Sequence, residues 1–446
     1  MLKYILFLLL GSTIVLNAQD SLVVKLSGKS DDNQLMLYKV KGGQQEYVAN
    51  AKSDTNNFKF QFPTKSAPGI YRLFFDIQNN GFIELLYNNE SISVTFDPLN
   101  IDTSAKFLVS KENQIYEAYI QLSLRRQSTI DSLQMVYFST EKRELIKVKY
   151  AKVVIELKQI QHSFEEMSKG LMAHEFIISN RNYNADEIWT TPDLYLESTQ
   201  SHFFDALDFG NPILRNSSRI LDKVVEYVFY LNKSEDMEVY LASKQQAVND
   251  VMLKVGNIYD VKREILSSLL YALADQQEIE MVDFIITQHY GKLPKELQSE
   301  QFLTEIDRII STAIGREAPE ISWDENGEEK KLSDMKGLNE VIIIVFWSTS
   351  CSHCLNDIPT LYDFTKDYDG LQIVAIALEE EREDFDKLTK EMPQWIHVYG
   401  ANKWTNKIAK NYDVNGTPSY FVLDKDLKII AKPEVLEDLQ ALFDQN

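Results

Sequence analysis

Cysteine is nearly absent from this sequence, since its 446 residues include only two, Cys351 and Cys354. Structural disulfides usually join residues that are far apart in the chain, and they are most common in small proteins with poor cores. A chain of this length can form roughly two to four domains with enough buried core to fold without disulfides. The close spacing of the two cysteines therefore indicates thiol chemistry rather than a structural cross-link.

Basic residues are also fewer than acidic ones. The sequence has 46 lysines and arginines and 67 aspartates and glutamates, which gives a formal net charge of −21. Nucleic acids and anionic membrane surfaces attract basic proteins. The acidic charge therefore predicts that neither a nucleic acid nor an anionic membrane surface is a partner. The acidic run at residues 379–384 is interpreted as the solvated start of a helix, where the helix dipole favours carboxylates. No function is assigned to this run.

The apolar run near the N-terminus, Tyr4 to Leu16, is too short to cross a bilayer, which needs about 20 apolar residues. Together with its flanking residues it predicts a signal peptide at residues 1–18 and a mature chain that starts near Gln19. Leu16 is larger than the residue usual at the third position before the cut, so an uncleaved anchor remains the alternative. The predicted location is the periplasm or cell envelope.

Residues 19–105 alternate apolar and polar side chains, as in Phe58 to Phe62 and in Ile92 to Phe96. Asparagine-, glycine- and proline-containing turn signals separate these stretches. The pattern predicts roughly six or seven short antiparallel strands in a small β-sandwich domain.

Residues 106–312 contain few glycines and prolines and show the spacing of amphipathic helices. The clearest stretches run from Ser132 to Met167 and from Leu221 to Leu231. The histidines of this region lack metal-ligand spacing, so no metal site is predicted. The region is predicted to be an α-helical domain, and its sequence assigns it no chemistry.

Residues 313–446 alternate predicted strands and helices. Val341 to Phe346 is continuously apolar and rich in β-branched residues, which is typical of a central strand buried on both faces of a largely parallel sheet. A helix is predicted from Cys351 to about Lys366. Its buried side is predicted to carry Leu355, Ile358, Leu361 and Tyr362. A buried strand at Leu371 to Leu378, further helices and a terminal ββα unit complete a predicted α/β domain.

The two cysteines lie where this helix begins. Cys351 in the first turn places its sulfur beside unpaired backbone N–H groups and the positive end of the helix dipole, and both favour the thiolate. Dithiol motifs of this spacing show pKa values from about 3.5 to about 7. Cys351 is therefore the predicted nucleophile. Cys354, one turn deeper on the same face, is the predicted resolving thiol.

Several ordered motifs in residues 313–446 carry a resemblance to a known family. The residues from Trp347 to Cys354 read WSTSCSHC, Pro359 follows five residues after the second cysteine, and Gly416-Thr417-Pro418 precedes a predicted strand. Two further motifs are Ala318 to Ile321 and Leu332 to Gly337. On these residues, the region resembles the thioredoxin-fold domain of exported TlpA-like thiol-disulfide oxidoreductases. The two preceding regions resemble, more loosely, domains that precede thioredoxin domains in envelope proteins of Gram-negative bacteria.

The resemblance implies roles for individual residues. Cys351 would be the nucleophile and Cys354 the resolving thiol. Thr417 and a cis Pro418 would hold an incoming strand by backbone contact. Trp347 would border this substrate-binding site and shield the disulfide by packing.

The sequence departs from the family pattern at Val345 and Ser350, and Asp357 and His353 near the dithiol are candidate functional residues. Thioredoxin has a buried aspartate as proton acceptor for the resolving thiol, and Val345 occupies that place here. Asp357, three residues after Cys354, is a candidate general base, although a solvated helix acid is an equal interpretation. Ser350 replaces the usual tryptophan, which would alter partner recognition. His353 would stabilise a thiolate and so make the pair more oxidising.

The leading hypothesis is an exported enzyme that exchanges electrons with protein thiols through Cys351 and Cys354, as a reductant and without metal or nucleotide cofactor. A membrane thiol protein would then be its electron donor. One alternative is a disulfide donor or isomerase. Another is a binding or scaffold module with an accessory thioredoxin-like domain. Client selection and assembly into a homo-oligomer are both open roles for the residues before the redox domain.

Overall fold

The computed structural model describes residues 20–443, apart from residues 28–33, 64–65, 77–78, 232–233, 235 and 326. The predicted signal peptide lies outside the described residues. The chain divides into two compact units, Met1–Ile265 and Leu266–Asn446. The domain limits expected after residues 105 and 312 remain predictions. Among the helices that the structure describes, none is both long and apolar enough to span a bilayer.

Two four-stranded sheets form the first part of the first unit, in the orders β4-β1-β7-β8 and β3-β2-β5-β6. The strands are β1 (Ser21–Leu26), β2 (Gln34–Lys41), β3 (Gln44–Lys52), β4 (Asn57–Gln61), β5 (Gly69–Asp76), β6 (Gly81–Tyr87), β7 (Ile92–Phe96) and β8 (Lys106–Val109). The inward side chains of both sheets form one apolar cluster, in which Phe62 stacks on Tyr87 with ring centroids 3.9 Å apart. The predicted β-sandwich is confirmed.

One strand pairing in this sandwich differs from the prediction. The pairings are antiparallel except that β1 and β7 run parallel, with Leu22 opposite Ile92. Between β1 and β7 the chain forms strands of the other sheet. Parallel pairing requires a long crossover connection of this kind. The alternation of apolar residues predicts the strands but carries no information on their relative direction.

Helices make up the rest of the first unit. They are α1 (Ile101–Ser104), α2 (Lys111–Ser139), α3 (Arg143–Ser168), α4 (Ala173–Ser179), α5 (Pro192–His202), α6 (Pro212–Arg215), α7 (Arg219–Val225), a π-helical turn at Glu226–Tyr230, α8 (Met237–Val255) and α9 (Tyr259–Asp275), which continues into the second unit. The helical character of this region is confirmed, but the stretch from Ser132 to Met167 is interrupted. Residues 139–142 contain no apolar side chain that could pack a continuing helix against a neighbour, and Thr140 is extended.

The second unit continues with α10 (Ile279–Gln288), 3₁₀ turns at Tyr290–Lys292 and Lys295–Leu297, α11 (Glu300–Ile310), β9 (Ser322–Glu325), β10 (Glu328–Lys331), a 3₁₀ turn at Leu332–Met335, β11 (Val341–Trp347), α12 (Ser352–Thr365), β12 (Leu371–Glu379), α13 (Glu383–Leu388), a 3₁₀ turn at Thr389–Glu391, β13 (Ile396–Ala401), a 3₁₀ turn at Lys403–Thr405, α14 (Lys407–Asn411), β14 (Ser419–Asp424), β15 (Ile429–Ala431) and α15 (Leu436–Ala441). Helix α11 contacts the α/β part of this unit: Arg308 and Asp413 form an ion pair of 3.3 Å, and the Ser311 hydroxyl donates to the Asn411 carbonyl.

A five-stranded mixed sheet in the order β13-β12-β11-β14-β15 forms the centre of the α/β part. Strands β11, β12 and β13 are parallel, whereas β14 and β15 are antiparallel to their neighbours. Ile343, Val345 and Trp347 of β11 pack in the apolar cluster on one face, and the alternate residues pack in the cluster on the other. The prediction of a central strand buried on both faces is confirmed. Strand β13 was not predicted, and it lies at the edge of the sheet.

The buried side of α12 differs from the expected one. Ile358 and Leu361 are buried, but Leu355 is 47% exposed and Tyr362 is half-buried. The buried face runs through Cys354, Ile358, Leu361 and Thr365. Cys354 therefore takes the core position that the apolar pattern assigned to Leu355, and the second thiol is a core residue of the domain.

Candidate active site

Cys351 occupies the N-cap of α12, directly after the short loop that follows β11. Its backbone is extended, and its Sγ accepts a hydrogen bond from the Cys354 N–H at 3.4 Å. An N-cap side chain normally satisfies one of the unpaired N–H groups of the first helical turn. The sulfur of Cys351 fills this role. The cysteine that was predicted to be the nucleophile therefore lies at the helix end, as expected.

The environment of Cys351 favours its thiolate. Burial alone would raise the pKa of Cys351, but hydrogen bonds from the side chain and backbone of Cys354, from Thr417 and from the His353 N–H together lower that pKa below its ordinary value. The side chain remains partly accessible to solvent. Cys351 thus combines a lowered pKa with partial accessibility, the two properties that a thiol nucleophile requires.

Cys354 has the opposite properties. Its side chain is 0% exposed and packs with Trp347 and Ile358. Burial, followed by its hydrogen bond to Cys351, raises the pKa of Cys354 to about 12. Both cysteines are free thiols in this structure. The two thiols therefore differ: Cys351 is partly accessible and has a lowered pKa, whereas Cys354 is buried and stays protonated at neutral pH.

The loop before β14 contacts Cys351. The Thr417–Pro418 peptide bond is cis, as the resemblance implies. The thiol of Cys351 donates to the carbonyl oxygen of Thr417 at 3.2 Å. This contact places a backbone carbonyl of the loop beside the sulfur of Cys351.

The interpretation of the acidic run as fully solvated is wrong for its first residue. Glu379 is 4% exposed, and its carboxylate accepts a hydrogen bond from the N–H of Thr349 in the loop before Cys351. Strand β12 extends to Glu379, and its carboxyl end lies beside that of β11, so the side chain reaches the amides of the active-site loop. The rest of the run is exposed and leads into α13, as expected for solvated carboxylates.

The other predicted residues lie close to the dithiol but differ in their surroundings. The ring of His353 is exposed, and the group that acts on Cys351 is its backbone N–H. Asp357 is half-buried on α12. Trp347 is 1% exposed, and within the described part of the chain its indole N–H has no hydrogen-bond partner. This burial agrees with a packing role beside the sulfurs.

Lys403 is a neighbour of the site that the sequence did not reveal. Its ammonium lies 3.3 Å from the hydroxyl of Ser350, which in turn lies 2.9 Å from the hydroxyl of Ser348. A lysine distant in the sequence thus occupies space next to the position where the family usually has tryptophan. No cluster of three or more His, Cys, Asp or Glu side chains suited to a metal ion occurs among the described residues.

Comparison with known proteins gives matches to the C-terminal part of the chain. Residues 339–429 match a family model described as thioredoxin-like. Thiol-disulfide oxidoreductase ResA of Bacillus cereus is 30% identical over 122 residues, which are 27% of this chain and 68% of that protein. Thioredoxin-like protein YneN of Bacillus subtilis is 28% identical over 120 residues, which are 25% of this chain and 65% of that protein.

Among solved structures, the thioredoxin domain of a thiol-disulfide oxidoreductase from Bacteroides vulgatus is 28% identical, with a TM-score of 0.26. The match covers 30% of this chain and 96% of that domain. The family match contains Cys351, Cys354 and Pro418.

Proposed function

Because the chain belongs, through its C-terminal domain, to the family of thioredoxin-like thiol-disulfide oxidoreductases, we propose that it reduces disulfides of protein clients through Cys351 and Cys354. The observation that carries this proposal is the inequality of the two thiols. The Cys351 thiol is accessible and has a lowered pKa, whereas Cys354 is buried with a pKa raised to about 12. Cys351 is suited to attack a client disulfide that arrives from solvent. Cys354 is suited to act only after the client is joined to Cys351 in a mixed disulfide.

The reaction has two exchange steps. The Cys351 thiolate attacks a client disulfide, forms a mixed disulfide and releases one client sulfur as a thiolate, which is then protonated. Cys354 loses its proton and attacks the Cys351 sulfur, which forms the Cys351–Cys354 disulfide and releases the second client sulfur. The client gains two electrons and the enzyme loses two. The loop at Thr417 and Pro418 would hold the client segment by backbone contact, as an added strand.

Two observations support the direction of electron flow. The imidazole of His353 is exposed, so the ring that would have stabilised a thiolate contributes less than its backbone N–H. Cys354 stays protonated at neutral pH, so the reduced form gains no stability from ionisation of the second thiol. A disulfide donor or isomerase is the alternative, supported by the lowered pKa of Cys351, since a stable thiolate makes a pair more oxidising.

The chain is proposed to act in the periplasm or cell envelope, with a membrane thiol protein as electron donor. The apolar run from Tyr4 to Leu16 supports export. Residues 19–312 are proposed to select the client or mediate assembly. Cell fractionation with an antibody to the C-terminal domain tests the location, and recovery of the protein in the cytoplasm would oppose it.

Replacement of each cysteine tests the proposed reaction. Cys351→Ser should abolish reduction of a protein disulfide without a change in the circular dichroism spectrum. Cys354→Ser should retain attack but accumulate mixed disulfides, which separate on non-reducing gels. Ser352→Ala, at an exposed position between the cysteines, serves as control and should retain turnover. Turnover by Cys351→Ser at the wild-type rate would disprove the proposal, and would favour a binding module with an accessory redox domain.

A further inference from the structure

The helical part of the first unit contains a cavity of about 590 Å³. Its walls come from α2, α3, the segment that follows α4, α7 and the π-helical turn after α7. Small-molecule sites in proteins usually enclose roughly 300–1,000 Å³, so this cavity has the size of a site for a small organic ligand. The sequence of this region predicts no chemistry, and the cavity is a feature that only the packing of its helices reveals.

Hydrogen bonds between side chains fix the walls of this cavity. The Tyr119 hydroxyl donates to Gln161 at 2.6 Å, and the Gln161 amide donates to Glu165 at 2.7 Å. Gln127 and Asn184 exchange two amide hydrogen bonds of 3.1 and 2.9 Å. Sites for small molecules are usually largely pre-formed in this way. Specific contacts therefore shape the walls before any ligand binds.

Part of the lining is apolar. Leu124 of α2 and Val154 and Leu157 of α3 contribute aliphatic side chains. Val154 is 1% exposed and Leu124 is 61% exposed, so the apolar lining extends from the core to the protein surface. A ligand with an apolar or aromatic body would be removed from water by these side chains.

Cations outnumber carboxylates in the lining, although the chain as a whole carries a formal charge of −21. The lining residues with full charges at neutral pH are Lys158, Arg181, Arg219, Lys223, Glu165 and Glu226. Three of the four cations have carboxylate partners: Arg181 pairs with Glu165, Lys158 with Asp186, and Lys223 with Glu226. Arg219 is the fourth cation.

Arg219 has only neutral hydrogen-bond acceptors. Its half-buried guanidinium donates to the hydroxyl of Ser179 at 3.3 Å and to the carbonyl of Ser179 at 2.8 Å. No carboxylate of the described residues forms an ion pair with Arg219. Burial raises the pKa of Glu84, and Arg72 and then Arg219 oppose this rise, but the ion-pair partner of Glu84 is Arg72, at 2.8 Å. A positive charge that is half-buried without a counter-ion favours the binding of an anion.

Lys223 lies one helical turn after Arg219, and both side chains line the cavity. Lys223 is 7% exposed. Burial lowers the pKa of Lys223, Glu226 opposes this effect, and the charge of Arg219 adds to it. Like charges four residues apart on a helix repel each other. An anion in the cavity would reduce this repulsion and would give Arg219 a counter-ion.

We propose that the cavity is a binding site for a small organic anion, whose charged group pairs with Arg219 and Lys223. The planar guanidinium of Arg219 suits a carboxylate, sulfonate or phosphate group. The apolar or aromatic body of the ligand packs against Leu124, Val154 and Leu157. The occupant is a free small molecule, because the enclosed volume is that of a drug-sized ligand.

Two fluorescent probes of similar shape test this site on the full-length protein. Anilinonaphthalene sulfonate (ANS) has an aromatic body and one negative charge, and phenylnaphthylamine has the same aromatic body without the charge. The emission of both probes rises in apolar surroundings, so each can be titrated by fluorescence at one fixed salt concentration. We expect saturable binding of ANS, with one site per chain by calorimetry.

Arg219→Gln removes the charge that lacks a counter-ion. This variant should bind ANS roughly 10- to 100-fold more weakly, the usual effect of the loss of a hydrogen bond to a charged group, and should bind phenylnaphthylamine as the wild type does. Arg215→Gln is the matched control, because Arg215 pairs with Asp260 and does not line the cavity. It removes the same charge from the chain and should leave the affinity for both probes unchanged.

Leu124→Glu tests the site without a change to a buried group. The Leu124 side chain lines the cavity but is 61% exposed, so the fold should tolerate a carboxylate there. This variant should lose more affinity for ANS than for phenylnaphthylamine. Leu122→Glu is its control, since it adds the same charge to α2 at an exposed position that does not line the cavity.

The site would be overturned by a folded wild-type protein that does not bind ANS saturably. The same ANS affinity in the wild type and in Arg219→Gln would also overturn it, as would an equal loss of ANS affinity in Arg215→Gln. An equal loss of both probes in Arg219→Gln would show an apolar cavity without anion recognition. If Arg219→Gln does not fold, wild-type ANS affinity in Leu124→Glu overturns the site. Cys351→Ser should bind ANS as the wild type does, so a failure of the proposed dithiol reaction would leave the anion site standing.

Discussion

The two thiols should differ in alkylation rate by several orders of magnitude. The perturbation is a brief exposure of the reduced protein to iodoacetamide at pH 7. With a pKa of about 12, Cys354 has a thiolate fraction on the order of 10⁻⁵ at this pH, whereas a free thiol with a pKa of about 8.5 has about 3%. Cys351 has a pKa below its ordinary value, so the expected rate ratio is at least on the order of 10³ before any steric protection of Cys354.

Peptide mass spectrometry at a series of times measures both rates in one sample. The label should appear on Cys351 alone, and Cys354 should react only after the protein is unfolded in guanidinium. Cys351→Ser provides the control for competition between the sulfurs. In that variant the contribution of Cys351 to the pKa of Cys354 is lost but burial, the larger cause, remains, so Cys354 should still be protected. Labelling rates within about tenfold of each other in the wild-type protein would refute this account of the site.

Three further predictions concern stability and pH. Glu379→Ala should lower the free energy of unfolding by about 1.5–3 kcal/mol, the usual contribution of a hydrogen bond to a charged group, and Glu379→Gln should lose less, as urea titration can measure. Asn113→Ala should cost about 2–3 kcal/mol, because it leaves the buried N–H and carbonyl of Leu86 unpaired; an unchanged urea midpoint would show that these groups find other partners. The stability of the reduced protein should fall as the pH rises from about 8.5 towards about 12, since unfolded Cys354 loses its proton in this range and folded Cys354 keeps it; Cys354→Ala should lack this contribution to the slope.

The sequence predicts best where a pattern has one physical meaning. A continuous β-branched run can be read as a central strand, and the run from Val341 to Phe346 is one. A cysteine at the junction of that strand with a helix must lie near free N–H groups, and Cys351 does. Gly416-Thr417-Pro418 was identified by resemblance, and its proline bond is cis.

Other parts of the site depend on register, which the sequence does not state. A run of carboxylates indicates a solvated segment, but the end of β12 determines that Glu379 turns inward. Leu355 was assigned to the buried side of α12 because it is apolar, whereas the position of the helix on the sheet buries Cys354 instead.

The equilibrium reduction potential of the Cys351–Cys354 pair tests the central claim most directly. Thiol alkylation and mass shift in graded redox buffers give this value for the full-length protein. The proposed reductant should form a reversible disulfide with a potential near that of thioredoxin, about −270 mV, or lower. A value between about −180 and −120 mV would contradict the reductant and favour disulfide donation or isomerisation. Failure to form a reversible disulfide at all would contradict the enzyme itself.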